Sequence, residues 1–353
     1  MVKEMAIGEG STPNGSKVVI SKNGRNIAIV EGLERWDRFK EPDEWQEGFK
    51  DKPATLRLLN WKGEELARTQ FSPAGWGYID LYPPGNDKAV ALNLTGSEGM
   101  AYRSKVFVRN GKTLSEVLSL KDACIWDYSE NGSTVILSLL DVETQFSKER
   151  MILDGEAKII AKYAYDSPRG NYCVRVSPSG NYIAEVTTGK YVVIHNRNGQ
   201  LVKEHKIAGG EYGAFSPNEE FVCISQGRWR VNLFNVKNGN LLWEYAVSSP
   251  DSFSFFYSLV ASSEGLVFAG SSRFAPLSVM GSAAKEKTIL IFDQQGKIIE
   301  RFGSFIPKTE AEVEFYSCSP TPQLRLTPDG KYLLVRFPKK YVLYQAKRAG
   351  GEQ

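Results

Sequence analysis

One phrase of hydrophobic and polar positions recurs along the chain. A short apolar strand is followed by a tight turn of Ser, Pro, Asn or Gly, a second apolar strand, a variable loop, a third strand, an Asn-Gly type turn and a fourth strand. The clearest copy runs from Tyr172 to Ile207 as YCVRV, SPSG, NYIAEVT, TGK, YVVIH, NRNG and QLVKEHKI. Its strands alternate or are apolar throughout, the patterns of half-buried and fully buried β-strands, and its turns carry residues that tolerate positive φ.

The first turn is found seven times, as SKNG at 21, PPGND at 83, SENG at 129, SPSG at 177, SPNE at 216, SSEG at 262 and TPDG at 327. The second is found six times, as WKG at 61, NGK at 110, DGE at 154, NRNG at 196, KNG at 237 and QQGK at 294. A seventh should follow YVLYQAK, where the chain ends, while a spare short strand, KEMAIG over residues 3–8, precedes the first repeat. The pattern predicts an all-β fold: a seven-bladed β-propeller of four-stranded antiparallel blades, closed by the N-terminal strand completing the last blade. Residues 1–353 are then expected to form one domain. Two β-sandwiches in tandem would explain neither the recurring order of turns nor the orphan strands at the two ends.

Through these repeats the chain resembles the WD-repeat and quinoprotein-like β-propellers over nearly its whole length. LFNVKNGNLLWEY at 233–245 is similar to the strand, turn, strand phrase of quinoprotein-like repeats, and LTPDGKYLLV at 326–335 to the start of many WD-like repeats. The Gly-His and Trp-Asp pairs of true WD repeats are absent from the expected places, since Trp36-Asp37 lies in a loop and Trp126-Asp127 in a first strand. Trp243 is the one counterpart of the tryptophan that docks quinoprotein blades. The resemblance implies a divergent propeller and brings no cofactor or substrate with it.

In a propeller, the first-to-second and third-to-fourth turns share one face. Here that set is tight, and long segments fall in the other set, at 32–53, 96–104, 141–149 and 271–287, with 69–76 and 303–322 on the same side. Binding residues concentrate on loops held by a rigid scaffold, so the loop-decorated face is the expected functional surface. Segment 32–53 carries Trp36, Arg38, Phe39, Trp45 and Phe49, aromatic anchors ringed by charge. Spacings of three and four would let a short helix present them on one side, and the same aromatics could instead fold back as a cap. Segment 271–287 is apolar for a loop and holds Phe274, Leu277 and Met280. TEAEVEF within 303–322 could form another short helix.

First strands begin with aromatic residues, Trp76 and Tyr78, Trp126, Tyr172, Tyr212 and Tyr257, which could ring the channel mouth and stack on a sugar, peptide or quinone. Their bland role is packing between blades.

Charge and composition narrow the chemistry further. Forty-four Lys and Arg against 41 Asp and Glu leave +3, too small and evenly spread for a nucleic-acid footprint. No apolar run approaches the roughly 20 residues of a membrane span, and the N-terminus lacks a signal-type apolar stretch, so direct membrane insertion is not expected and a cytoplasmic location is. Cys124, Cys173, Cys223 and Cys318 have no CxxC spacing and are expected as buried free thiols. His195 and His205, the two histidines, read as solvated strand residues and cannot assemble a multi-histidine metal site. There is no GxSxG, phosphate loop or calcium loop. Asp37, Asp43, Glu44, Asp80 and Asp127 offer carboxylates without a distinctive pair. The expectation is a non-catalytic protein-interaction scaffold with a protein partner and with no cofactor or metal. A ligand-binding propeller, or a lyase or glycosidase at the channel mouth, is the alternative.

Overall fold

The computed structural model describes residues 3–5, 17–33, 53–73, 76–83, 85–96, 102–141, 143–144, 147–164, 171–187, 191–207, 212–226, 230–247, 253–274, 284–305, 323–327, 331–337 and 340–345. Among them every regular element is a strand. Before the first repeat comes β1 (Lys3–Met5), and repeat one holds β2 (Lys17–Ile20), β3 (Asn26–Glu31), β4 (Ala54–Asn60) and β5 (Glu65–Phe71). Repeat two holds β6 (Trp76–Tyr82), β7 (Ala89–Gly96), β8 (Tyr102–Asn110) and β9 (Thr113–Lys121). Repeat three holds β10 (Ala123–Tyr128), β11 (Thr134–Leu140), β12 (Ser147–Asp154) and β13 (Ile159–Ala164). Repeat four holds β14 (Asn171–Val176), β15 (Tyr182–Thr187), β16 (Tyr191–Asn196) and β17 (Leu201–Lys206). Repeat five holds β18 (Gly213–Phe215), β19 (Phe221–Gln226), β20 (Arg230–Asn235) and β21 (Leu241–Ala246). Repeat six holds β22 (Phe253–Ala261), β23 (Val267–Phe274), β24 (Ala284–Phe292) and β25 (Ile298–Phe305), and β26 (Gln323–Leu326), β27 (Tyr332–Phe337) and β28 (Lys340–Gln345) follow.

Repeats three to six each form a four-stranded antiparallel sheet in chain order. The last three strands form a fourth-strand vacancy that β1 fills, with Lys3 opposite Leu343 and Met5 opposite Tyr341. Repeats one and two were expected as separate sheets and instead share one eight-stranded sheet. Its two antiparallel halves meet at a single parallel bridge of their outer strands, Arg68 opposite Thr113, where the Arg68 N–H donates to the Lys112 carbonyl at 3.1 Å.

Every expected turn sits between two strands. The expected loop 271–287 is shorter than its composition suggested. β23 continues to Phe274 and β24 begins at Ala284, with Ser271 opposite Thr288 and Arg273 opposite Glu286. Polar residues do not end a ladder whose backbone pairing continues, so strand outlasts the apolar run here. Likewise Tyr102–Ser104 and Ser147–Glu149 are strand. The expected short helices at 32–53 and in TEAEVEF lie outside the described residues, as does Cys318.

Consecutive strand residues point to opposite faces, so a second strand such as TVIL in β11 buries both sides. Val135 and Leu137 pack toward repeat two, against Ala91 and Val106, and Ile136 packs toward repeat four, against Val174 and Ile183. Such clusters join each repeat to the next from repeat one to repeat seven. Among the described residues no cluster joins repeat seven back to repeat one. On that side of β2, Val18 and Ile20 are 44% and 60% exposed. First strands of successive repeats lie side by side, β10 beside β14, β14 beside β18, β18 beside β22 and β22 beside β26.

Candidate interaction face and channel

Six of the seven first turns are built on one hydroxyl. In SKNG the Ser21 N–H donates to the Asn26 carbonyl at 2.8 Å, and the Ser21 Oγ accepts the Asn26 N–H at 2.9 Å. The same pair of bonds joins Ser129 to Thr134, Ser177 to Tyr182, Ser216 to Phe221, Ser262 to Leu266 and Thr327 to Tyr332. A polar side chain of the turn then reaches the next repeat. Asn23 Nδ2 donates to the Gly85 carbonyl at 3.0 Å, Asn86 Nδ2 to Gly132 at 2.6 Å, Asn131 Nδ2 to Ser179 at 3.0 Å and Asn218 Nδ2 to Ser263 at 3.0 Å. Ser179 Oγ continues the series by donating to Glu219 Oε2 at 2.6 Å. On this side the turns spend their polar groups on one another.

Toward the other end of the strands lies a buried polar layer. Asn93, Ser138, Glu185, Ser225 and Ser271 each interrupt the apolar run of a second strand, and all are buried. Across the ladder Asn93 faces Ser104, Ser138 faces Arg150 and Ser271 faces Thr288. Asn93 Nδ2 donates to the Ile125 carbonyl at 2.9 Å and its Oδ1 accepts the Ile125 N–H at 2.8 Å, which fastens repeat two to repeat three.

Between repeats three and four the layer is ionic. Arg150 and Glu185, with side chains 0% and 1% exposed, pair at 2.9 Å. Arg150 also donates to Ser138 Oγ, Tyr163 donates its hydroxyl proton to Glu185, and Trp126 Nε1 donates to Ser138 Oγ at 2.5 Å. The Arg150 guanidinium lies 5.7 Å from the centre of the Trp126 ring. His195 stacks on Tyr163 at 4.4 Å with Nδ1 3.7 Å from Glu185, and burial lowers its pKa against the pull of Glu185. His205 contacts the Gly239 carbonyl and lies 5.2 Å from Phe234. Both histidines are half-buried and held by neighbouring groups rather than fully solvated, which corrects the expectation of solvated strand residues.

Of the aromatics expected at the channel mouth, Trp126 is half-buried in this network, packed against the cluster of Ile136, Val174 and Ile183. Tyr212 is half-buried and its N–H donates to Ser225 Oγ at 2.9 Å. Trp76 and Tyr78 lie on β6, Tyr172 on β14, Tyr257 on β22 and Phe274 on β23, with side chains outside the description. Trp36, Arg38, Phe39, Trp45, Phe49, Leu277 and Met280 lie outside the described residues altogether. The described cysteines are free, and burial pushes the thiols of Cys124 to about 11 and Cys223 to about 12, which leaves them protonated and unreactive at neutral pH.

A charged group at the turn end of the first strands was not expected. Lys22, from the first turn of repeat one, passes repeat two and meets repeat three, with Nζ 2.6 Å from Asp127 Oδ1 and 2.6 Å from the Tyr128 carbonyl. The other Asp127 oxygen accepts the Val176 N–H at 2.8 Å. Burial lowers the Lys22 pKa, opposed by Asp127. Spacing from the turn could have found the site, since Asp127, Arg175 and Arg325 each stand two residues before a first turn, at Ser129, Ser177 and Thr327.

No family model and no curated protein matches the chain. Among solved structures it is similar to Raptor from Chaetomium thermophilum, at a TM-score of 0.52 and 10% identity over 96% of this chain and 28% of that one. It is also similar to a chain in the crystal structure of the Mitotic Checkpoint Complex, at a TM-score of 0.53 and 10% identity over 98% of this chain and 91% of that one. This chain thus spans well under half the length of Raptor. At such identity the likeness is one of fold. With its repeated four-stranded antiparallel sheets and this likeness in fold, the chain has an all-β fold of β-propeller type.

Proposed function

We propose that the chain is a single seven-bladed propeller, closed by β1, that serves as a protein-interaction scaffold and binds a protein partner through the face opposite its tight turns. The carrying observation is the contrast between the two ends of the strands. At one end the turns are short and hydrogen-bonded to one another, which leaves few free groups for a partner. From the other end leave the long connections, among them 34–52 with its four aromatic residues and 275–283 with Leu277 and Met280. Aromatic residues and arginine dominate binding energy at protein interfaces, and Trp36, Arg38, Phe39, Trp45 and Phe49 supply that chemistry. The fold neighbours Raptor and the Mitotic Checkpoint Complex chain lend support, the second being part of a complex by its title.

Affinity capture from native lysate, followed by crosslinking of the captured complex, tests this. A partner held by the intact chain, crosslinked to the 34–52 segment, and released by joint alanine replacement of Trp36, Phe39, Trp45 and Phe49 is the expected result. Identical capture by both proteins, or crosslinks confined to the tight turns, would overturn it.

A further inference from the structure

We propose that Asn238, in the second turn of repeat five, is a site of spontaneous modification, at which the side-chain amide is lost as ammonia through attack by the Gly239 backbone nitrogen. This stands apart from the scaffold reading and needs no closed ring.

The turns of the other repeats set the standard. In repeats one, three, four and six the N–H of Asn60, Asp154, Asn196 and Asp293 donates to the carbonyl of Glu64, Lys158, Gln200 and Lys297 in turn. In each, the leading side chain accepts two N–H groups of its own turn. The N–H of Gly63, Ala157, Gly199 or Gly296 then donates to the leading carbonyl at 2.9 to 3.1 Å. Repeat five has one residue more, and its bonds are dealt out differently. The Asn235 N–H donates to the Asn240 carbonyl at 2.8 Å, Asn235 Oδ1 accepts the Asn238 N–H at 3.2 Å, and the Asn240 N–H goes to Asn238 Oδ1 at 3.0 Å. The Gly239 N–H is left without an acceptor among the described residues.

This arrangement supplies what amide loss needs. Asn238 is exposed, and its Nδ2 has no acceptor among the described residues, so the leaving group is untied. An N–H holds its Oδ1, where negative charge gathers as the nitrogen attacks. The attacking nitrogen is the next one along the chain and belongs to a glycine, with no side chain to crowd the approach. That nitrogen gives its proton to hydroxide and bonds to Asn238 Cγ. The bond from Cγ to Nδ2 breaks, and Nδ2 takes a proton from water and leaves as ammonia. Water then opens the cyclic imide, at one carbonyl to give aspartate and at the other to give isoaspartate.

The other described Asn-Gly pairs lack the combination. Asn23 and Asn131 also hold an N–H on Oδ1, but their Nδ2 donates to the Gly85 and Ser179 carbonyls, and the Gly24 and Gly132 N–H groups donate to Ser21 and Ser129. The Gly199 N–H is bonded to Asn196, and neither Asn110 nor Asn198 has an N–H on its side-chain oxygen among the described residues. Modification at Asn238 falls where repeat five meets repeat four. The Gly239 carbonyl contacts His205, and a Cβ added at Gly239 would lie 2.1 Å from Lys203 Cβ, so a new charge or an extra backbone carbon there bears on both.

The test is to incubate the full chain, folded and in urea, in mildly alkaline buffer made with water enriched in heavy oxygen, and to follow label uptake by peptide mapping and mass spectrometry. In the folded protein Asn238 is expected to take up label at least tenfold faster than Asn23, Asn131 and Asn198, and faster than Asn110. In urea, where only the shared Asn-Gly sequence counts, the rates should converge. Deleting Lys237, which gives the turn the length of that at 196–200, should slow Asn238 at least tenfold while Asn110 keeps its rate. If that variant folds poorly, the native and urea rates of the intact chain decide alone. An Asn238 no faster than Asn198 in the folded protein, the same preference in urea, or a folded deletion variant with Asn238 unchanged would overturn the proposal.

Discussion

Arg150 and Glu185 give up water on both sides of one interface, so their value is set by the pair rather than by either residue. Arg150→Met leaves Glu185 charged and buried without its guanidinium partner, and such half-pairs typically destabilise by about 3–5 kcal/mol. The urea midpoint of Arg150→Met should fall accordingly, whereas Arg150→Met combined with Glu185→Leu should recover most of the loss. Equal losses in the single and double variants would mean that packing, not charge, dominates there. His195 adds a pH dependence of known sign. Its folded pKa is lowered by burial, so as pH falls through the ordinary histidine range the unfolded chain takes up a proton that the folded one refuses. Stability should therefore decline as pH drops below about 6.5 and level off below the folded pKa, and His195→Gln should flatten that limb of a stability-versus-pH profile. Little of this was legible in advance, because a polar residue inside an apolar strand reads as alternation. The overlooked signal was offset: Ser129 to Ser138, Ser216 to Ser225 and Ser262 to Ser271 all have the same spacing from turn to buried hydroxyl.

Among the elements, the first turn is where sequence and structure agree best, since its Ser, Asn and Gly are each required by a bond or a backbone angle. Asn131 shows the point, because its side chain serves its own turn through Ser133 N–H and the next turn through the Ser179 carbonyl. Asn131→Ala should cost about 1–2 kcal/mol in denaturant unfolding, against a few tenths for Asn198→Ala, since in that turn Arg197 and not Asn198 makes the side-chain bridge, to the Ser133 carbonyl. Glycine separates the two demands. Gly24 and Gly180 both have positive φ, 71° and 82°, but a Cβ at Gly24 would meet open space while one at Gly180 would lie 2.3 Å from Thr134 Oγ1. Gly24→Ala is expected to cost about 1 kcal/mol for its backbone angle alone, and Gly180→Ala distinctly more because repeat three must also shift. Comparable losses in the two variants would show that turn conformation, not contact between repeats, sets the requirement. Where elements were misjudged, composition misled: the polar stretch Ser271–Arg273 was read as loop, although backbone pairing continues through Phe274 irrespective of side-chain polarity.

At the scale of the molecule, the proposed ring depends on a junction unlike the others. Six apolar clusters join successive repeats, whereas between repeat seven and repeat one none occurs among the described residues and Val18 and Ile20 remain exposed. The turn count made a spare N-terminal strand legible, but burial at a seam depends on residues far apart in the chain, which no local pattern encodes. The work of closure thus falls on β1, whose backbone pairs with β28 from Lys3 to Met5. Removing residues 1–5 would bare a row of β28 amides and carbonyls, an edge that templates association with other chains. At about 1 kcal/mol net per backbone bond, and a few degrees per kcal/mol in a chain of this size, the unfolding midpoint should fall by on the order of 5 °C. Soluble aggregates should appear by light scattering at the same time. Appending a copy of KEMAIG after a flexible linker at the other end of the chain should restore the midpoint if the strand itself is what matters. An unchanged midpoint in the truncated protein would place the closure elsewhere and remove β1 from the ring.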